Sequence, residues 1–444
     1  MNDIFGKAGI ERSFETYLKG RDGKKQIDMT VDGAITDEYV TQEAEAGADV
    51  ILTIDANFQG KIEEILKNTV DSVKGGSTGG SIVAMNVNTG AILGMASYPT
   101  YEPSAFIGGI SQELWDRYSK VENNIPAPLT NRAIQTIYAP GSPFKMITAI
   151  AGLESGKITP TTTINDTGVY PRGYNPTCWI YSQTRGGHGY LNVKQAIQRS
   201  CNYFFYEVGY RVGIDTIYKY AKYFGLDSKT GIELPAESSG KAAQKSLAED
   251  QGGWYLGDTL PAAIGQGYNS FTPIGMAKYT SMIANGGRKV RPTLIKSVTK
   301  SDGTEISREE VRNYLDEKLG INETEEENLN ISEETIQTVK EGMKAVTSQA
   351  GGTAYNTFKN FSVQVAGKTG TADIADDGKV ANGWFVGFAP YNEPEIAVAV
   401  VIESGGSGQY ATTAAKEVLA QYFGMNADKI TEDRTTPSYI EIQN

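Results

Sequence analysis

The sequence predicts a mixed α/β fold in which a sheet is completed by the last strands of the chain. Two observations carry that reading. Strand-like runs lie near both ends with helical patterns between them, and neither an internal repeat nor a run of βαβ units is visible. Hydrophobic residues make up 39% of the 444 and aromatics 10%, which is enough for large buried cores, so the chain as a whole is not disordered.

Residues 1–48 are polar, with short runs at Phe14–Leu18 and Ile27–Val31, and predict a few strands or one helix but not a core. Asp49–Asp55 reads as a strand. Asn57–Val73 reads as an amphipathic helix with Ile62, Ile65, Leu66 and Val70 on one stripe. Gly75-Gly-Ser-Thr-Gly-Gly80 reads as a flexible connection, in composition equally an engineered linker. Ser81–Val87 and Ala91–Ser97, joined by Asn88-Thr89-Gly90, read as a hairpin. Pro143–Leu153 reads as an apolar helix ending at Gly156, and Lys194–Tyr210 as a second ending near Gly213. Residues 299–345 are charged and read as helical, with an acidic run at Glu323–Glu327. Val363–Gly387 and Ile396–Glu403 have strand character, and Ala411–Phe423 reads as a closing helix.

Composition then narrows function. The formal net charge of −12 weighs against a nucleic-acid groove or an anionic membrane surface as the main partner. The single histidine, His188, rules out poly-histidine metal sites and restricts any Ser-His-Asp triad to itself. Two cysteines, Cys178 and Cys201, cannot build a disulfide scaffold or an iron–sulfur cluster. No stretch approaches the ~20 apolar residues of a membrane span, and Met1–Gly9 lacks a signal-peptide pattern. The chain therefore reads as cytosolic or as the excised soluble part of something larger.

Three motifs carry chemistry. In Tyr138-Ala-Pro-Gly-Ser-Pro-Phe-Lys145, a helix opening at Ser142 places Ser142 and Lys145 on one face, about one turn apart. The positive end of the helix dipole favours an alkoxide at Ser142, and a neutral Lys145 can deprotonate it once burial lowers its pKa. Ser200-Cys-Asn202 reads as a polar break inside an apolar helix, which conflicts with the local pattern unless it lines a site. Lys368-Thr369-Gly370 followed by Thr371 reads as an edge strand facing a cleft, with Gly370 permitting close backbone approach. With one histidine in the chain, a lysine base is the natural alternative to a triad. Trp179, Trp254 and Trp384 read as aromatic core before groove lining.

The order S-x-x-K, S-x-N, K-T-G is the set of serine β-lactamases and penicillin-binding proteins. The spacings, 58 residues from Ser142 to Ser200 and 166 from Asn202 to Lys368, suit penicillin-binding proteins better than compact β-lactamases. Gly9-Ile-Glu-Arg-Ser13, Leu52-Thr-Ile-Asp55, Gly90–Pro99, Ala263-Ile-Gly-Gln-Gly267 with Thr272-Pro273, Ala284-Asn-Gly-Gly287 and Ala366–Thr371 agree. From about residue 8 to 425 the chain resembles a class B penicillin-binding protein, of the penicillin-binding protein 2 type found in the elongation and sporulation machinery.

That resemblance implies a penicillin-binding, β-lactamase-like transpeptidase fold, an antiparallel sheet flanked by helices. It implies a pedestal remnant at 1–48, a transpeptidase domain at 49–430 and a tail at 431–444. It also implies a D,D-transpeptidase. Ser142 would attack the penultimate D-alanine carbonyl of a peptidoglycan stem peptide and expel the last D-alanine. Lys145 would take its proton, and Ser200 would relay that proton to the leaving amine. Asn202 would hold Lys145 and the substrate amide, and Lys368 would keep Lys145 neutral. Thr369 and Thr371, with Gly370 between them, would bind the terminal carboxylate. The Ser142 and Thr371 N–H groups would form an oxyanion hole, where losing one donor typically costs ~3–4 kcal/mol of barrier. A second stem peptide's amine would then take the acyl group.

β-Lactams would acylate the same serine, and catalysis would require no cofactor. The implied partner is a membrane glycosyltransferase, with no nucleic acid. The family places the protein on the outer face of the cytoplasmic membrane through an N-terminal helix. The sequence thus reads as an engineered extracellular fragment, with Gly75–Gly80 in place of a deleted segment. The rivals are a β-lactamase or D,D-carboxypeptidase, and a non-catalytic β-lactam sensor. Glu326-Glu-Asn-Leu-Asn330 matches the deacylation motif of class A β-lactamases but reads as a solvated acidic face.

Cys178, His188 and Cys201 fall within 24 residues of one another, and Cys201 lies inside the S-x-N motif. Three readings stay open. One is a structural zinc near the active site, with Asp166 as fourth ligand and Asp258 as the alternative. The others are a Cys178–Cys201 disulfide, and two buried thiols with His188 in a turn.

Overall fold

The strands Ala381–Ala389, at the end of the stretch Val363–Gly387 read as strand, and Ile396–Glu403 are buried along their whole length. Such strands need cover on both faces, which explains their continuous apolar character. They are the centre of a five-stranded antiparallel sheet in a computed structural model that describes residues 5–121, 126–321, 330–373 and 381–425.

The larger of two compact units holds this sheet. In chain order its elements are α1 (Ala56–Asp71), β1 (Gly79–Asn86), β2 (Ile92–Tyr98), α2 (Lys145–Glu154), α3 (Val193–Gln198), α4 (Asn202–Tyr223), α5 (Pro273–Ala284), α6 (Glu333–Ser348), β3 (Ala366–Asp373), β4 (Ala381–Ala389), β5 (Ile396–Glu403) and α7 (Gln409–Tyr422). The strand order is β3-β4-β5-β1-β2, so the last strands complete the sheet and β3 is an edge. Helices α1, α5 and α7 pack on the sheet. Asp55 caps α1 by accepting from the Phe58 N–H, and the stripe Ile62, Ile65, Leu66 and Val70 is buried. The antiparallel sheet flanked by helices agrees with the expected fold class.

The smaller unit is formed, among the described residues, by 5–53, 231–237 and 293–321. Its core is Phe14, Val298, Ile306, Val311 and Leu315. The first residues do lack a core of their own; Phe14 finds its neighbours nearly three hundred positions later. Lys24–Met29 and Ile35–Gln42 form an antiparallel hairpin. Asp49–Leu52 pairs with Ile295–Thr299.

Three local readings are corrected. Gly79 and Gly80 belong to β1 and are buried. A Cβ on Gly79 would sit 2.4 Å from the Tyr98 carbonyl oxygen, and one on Gly80 2.6 Å from that of Val401. Ser77 and Thr78 donate to Glu403, so this segment is an anchored strand entry and not a loose linker. Helix was read from 299 onward, but Thr299 ends the strand Ile295–Thr299 and Glu305–Ile306 is its partner strand; helix begins only at Arg308. The helix read over Lys194–Tyr210 is broken at Arg199–Cys201 and resumes as α4, which runs past Gly213 to Tyr223. Glu326–Leu329 and the tail 431–444 lie outside the described residues. Among the described residues no helix is long and apolar enough to cross a membrane.

Candidate active site

The Ser142 loop is shaped by close backbone approaches. Gly141 has φ +58°, and a Cβ there would lie 2.6 Å from the Thr371 carbonyl oxygen. The Gly141 N–H donates to the Gly265 carbonyl, at 2.9 Å. Gly265 is equally constrained: its Cβ would lie 2.2 Å from the Gly141 oxygen. Only glycine accepts these positions. Ser142–Phe144 then form one 3-10 turn that leads into α2. Trp384 on β4 is fully buried, as core, and its indole N–H donates to the Ala139 carbonyl at 3.0 Å. Trp179 is 37% exposed, and Trp254 is half-buried. Gly370 allows the edge strand to meet the loop, since a Cβ there would sit 2.5 Å from Pro143 Cδ.

Ser200 lies at the break between α3 and α4 with φ +55°, a left-handed conformation unusual for serine. This kink, and not a position inside one helix as the sequence suggested, separates Ser200 from Asn202. Asn202 is the first residue of α4, and Cys201 caps that helix by accepting from the Phe204 N–H.

The kink brings the motifs together. Ser200 Oγ donates to Ser142 Oγ at 2.9 Å. Lys145 Nζ reaches Ser200 Oγ at 3.1 Å, the Ser200 carbonyl at 2.7 Å and Asn202 Oδ1 at 2.6 Å. Lys368 Nζ reaches Ser200 Oγ at 2.9 Å and the Thr369 carbonyl at 3.0 Å. Both lysines are fully buried. Burial lowers Lys145 to about 8. Burial, and then the charge of Lys145, pushes Lys368 well below an ordinary lysine. Two cations on one hydroxyl in a dry site favour loss of a proton from one of them. Thr369 is half-buried and Thr371 exposed, on the same strand edge.

Asp166, Cys178, His188 and Cys201 form a second cluster, with all donor atoms within 4.8 Å of one another. His188 Nδ1 lies 2.7 Å from Asp166 Oδ2 and 3.6 Å from Cys178 Sγ. Cys201 Sγ lies 3.2 Å from Asp166 Oδ2 and 3.9 Å from Cys178 Sγ. The sulfur separation is far from the ~2.05 Å of a disulfide and near the ~3.8 Å edge of a tetrahedral two-thiolate zinc site. Burial opposes the charged form of His188, but the Asp166 carboxylate and Cys178 outweigh it and raise the imidazole to about 9. Burial likewise raises Asp166, but the His188 side chain and the Gly168 and His188 N–H groups hold it far below the ordinary carboxylate range. The hydrogen bond with Cys201 leads in lowering Cys178, to about 5, and burial raises Cys201.

Sequence reasoning missed two groups. Arg132, fully buried, donates to Glu403 Oε1 at 3.0 Å, and Tyr138 donates to the same oxygen at 2.7 Å. The pair is 271 positions apart, and nothing local signals it. Thr353 lies 2.6 Å from Thr369, oxygen to oxygen. The Gly351-Gly352 doublet is a turn signal in the sequence, but it points to no partner for Thr353.

Residues 80–423 match the family described as penicillin binding protein transpeptidase domain, and residues 1–52 the penicillin-binding protein dimerisation domain. The chain belongs to the penicillin-binding protein transpeptidase family. Within it, the likeness is to the penicillin-binding protein 2 type. Peptidoglycan D,D-transpeptidase MrdA of Escherichia coli K12 is 32% identical over 93% of this chain, and the chain spans 64% of that relative's length. Pseudomonas aeruginosa PBP2, solved in complex with WCK 5153, superposes with a TM-score of 0.76 at 30% identity, covering 98% of this chain and 87% of that one. Helicobacter pylori PBP2, solved in complex with MreC, gives 0.79 at 26%, covering 95% and 72%.

Proposed function

We propose that the chain is a serine D,D-transpeptidase that joins peptidoglycan stem peptides through an acyl-enzyme at Ser142. The observation that carries this reading is the chain of contacts Ser142–Ser200–Lys145. A neutral Lys145 has two N–H bonds, which the Ser200 carbonyl and Asn202 Oδ1 accept. Its lone pair is then left facing Ser200 Oγ. As Ser142 attacks the carbonyl of the penultimate D-alanine, its proton passes to Ser200, and the Ser200 proton passes to Lys145. The path expected from sequence ran from Ser142 straight to Lys145; here Ser200 stands between them. Collapse of the tetrahedral intermediate breaks the peptide bond, and the proton returns through Ser200 to the leaving amine of D-alanine. A second stem peptide's amine takes the acyl group in the reverse sequence. Lys368 holds Ser200 from the other side. The N–H groups of Ser142 and Thr371 receive the oxyanion, and Thr369 and Thr371 receive the terminal carboxylate.

The second cluster suits zinc, held by Asp166, Cys178, His188 and Cys201. A zinc ion there would supply structural charge neutralisation to the buried carboxylate and thiolates. The residues themselves fix the start of α4, where Cys201 sits between Ser200 and Asn202. The protein works on the outer face of the cytoplasmic membrane, anchored by an N-terminal helix, and is acylated by β-lactams. It operates beside a membrane glycosyltransferase; the MreC complex of the Helicobacter relative is consistent with a wall-building assembly.

The test is intact mass over time after adding a penicillin, for this chain and for Ser142→Ala. A stable adduct of the drug's mass, absent in the variant, is the expected result. An adduct that disappears while drug is consumed overturns the transpeptidase in favour of a hydrolase. No adduct overturns the assignment of Ser142.

A further inference from the structure

Thr353 belongs to none of the three motifs, yet the fold delivers it to the edge strand. It follows α6 in a tight turn. The Gly352 N–H donates to the Gln349 carbonyl at 2.9 Å, and the Ala354 N–H to that of Val346 at 3.1 Å. A Cβ on Gly352 would lie 2.3 Å from the Val346 oxygen, so the turn requires glycine there. The turn is tied at both ends to the active site. Gln198, near the end of α3 and two residues before Ser200, donates to the Ala350 carbonyl at 3.0 Å. Thr347 donates to the Val365 carbonyl at 2.6 Å, just before β3. The result is a half-buried Thr353 hydroxyl 2.6 Å from that of Thr369.

We propose that Thr353 is a positioning residue that sets carboxylate specificity: it donates to the Thr369 hydroxyl and so turns the Thr369 proton toward the substrate's terminal carboxylate. This rests on the transpeptidase reading and on Thr369 as the carboxylate's partner. The direction of the bond follows from the ligand. A carboxylate accepts and does not donate, so Thr369 must spend its only proton on it. Thr369 oxygen is then free to accept, and the hydroxyl 2.6 Å away supplies the proton. A chain of two hydroxyls ending on a charge strengthens each link. With a neutral ligand end, Thr369 gains no such preference for one direction.

The experiment compares benzylpenicillin with its methyl ester as acylating agents, read as second-order rate constants by intact mass. The proteins are the unaltered chain, Thr353→Val, Thr353→Ala and Thr353→Ser. The acid-to-ester ratio is the readout, because any unfolded fraction cancels from it. The expected result is that the ratio falls about fivefold to tenfold in Thr353→Val and Thr353→Ala, the scale of one hydrogen bond supporting a charged group. Thr353→Ser should restore it to within about twofold, since it keeps the donor. A ratio unchanged in both hydroxyl-free variants, or equal loss with acid and ester, overturns the inference. So does a chain that shows no preference for the acid at all. Failure of the unaltered chain to react with either agent overturns the transpeptidase reading beneath it, and is distinct from the other outcomes.

Discussion

Two buried polar clusters meet at the break between α3 and α4, and they treat charge in opposite ways. On one side Lys145 and Lys368 converge on Ser200. On the other, Asp166, Cys178 and Cys201 converge around His188. Two buried cations, with no carboxylate hydrogen-bonded to either among the described residues, relieve their repulsion by releasing a proton, which is what a base must have done before it can act. The donor cluster instead keeps its negative charge and needs a positive partner, either His188 protonated or a metal ion. One cluster spends stability on reactivity. The other spends reactivity on holding Cys201, the residue between Ser200 and Asn202. The difference predicts that substitutions on the two sides will part activity from stability.

The largest effect should come from Lys145→Met. Loss of the base should lower acylation by penicillin about a thousandfold. The melting temperature should change little, because relief of the repulsion with Lys368 offsets the donor lost to the Ser200 carbonyl and Asn202 Oδ1. Intact-mass kinetics and calorimetry check both halves. Acylation within about tenfold of the unaltered chain would break the comparison, since Lys368 would then suffice as base.

His188→Ala is the mirror experiment. It leaves the buried Asp166 carboxylate without its partner and should cost about 3–5 kcal/mol of stability in metal-free protein. In the unaltered chain, a chelator should lower the melt and elemental analysis should find zinc. No zinc and an unchanged melt would remove the metal and leave the ion pair as the whole of the cluster.

The pH dependence separates those two outcomes. Without metal, His188 is raised from 6.5 to about 9, so its contribution is full below pH 6.5 and lost as pH climbs toward 9. Asp166 is lowered, so its contribution is full above its ordinary value near 4 and lost on acidification. Cys178, lowered to about 5, gains over the same interval what His188 loses, so the melt of chelated protein should change little from pH 6.5 to 9. Zinc requires its ligands to shed protons, so the gap between zinc-loaded and chelated melts should widen over that interval. A gap that narrows would argue against these four ligands.

The sequence exposed what is local or motif-bound. The amphipathic stripe of α1, the hairpin of β1 and β2, the three motifs and the Cys178, His188 and Cys201 donors could be read from residue type and spacing, with Asp166 one of two carboxylate candidates for the fourth. What it hid is what only closure of the chain creates. Ser200 looked like a polar residue inside a helix because periodicity carries across a single left-handed residue without interruption. Gly79 and Gly80 looked like linker because composition cannot show that a strand and a carbonyl press on them. Arg132 and Glu403, like Thr353 and Thr369, are pairs that no window of sequence contains.

The smallest change would make one cluster resemble the other. Asn202 Oδ1 accepts from Lys145 at 2.6 Å, and Asn202→Asp keeps the shape while placing a carboxylate against the amine. An opposite charge at this range raises a lysine's pKa by roughly 1–3 units. Lys145 starts at about 8, so in the unaltered chain acylation should rise with pH through 8 and then level off. In Asn202→Asp the rise should move upward by at least about one unit, with about tenfold slower acylation at pH 7 and a recovering rate at high pH. Stability should change little, because the new ion pair offsets its own desolvation. Recovery at high pH is the decisive feature, since a structural lesion would slow acylation equally at every pH. A flat loss would mean that Asn202 positions the substrate amide and does not govern the charge of Lys145.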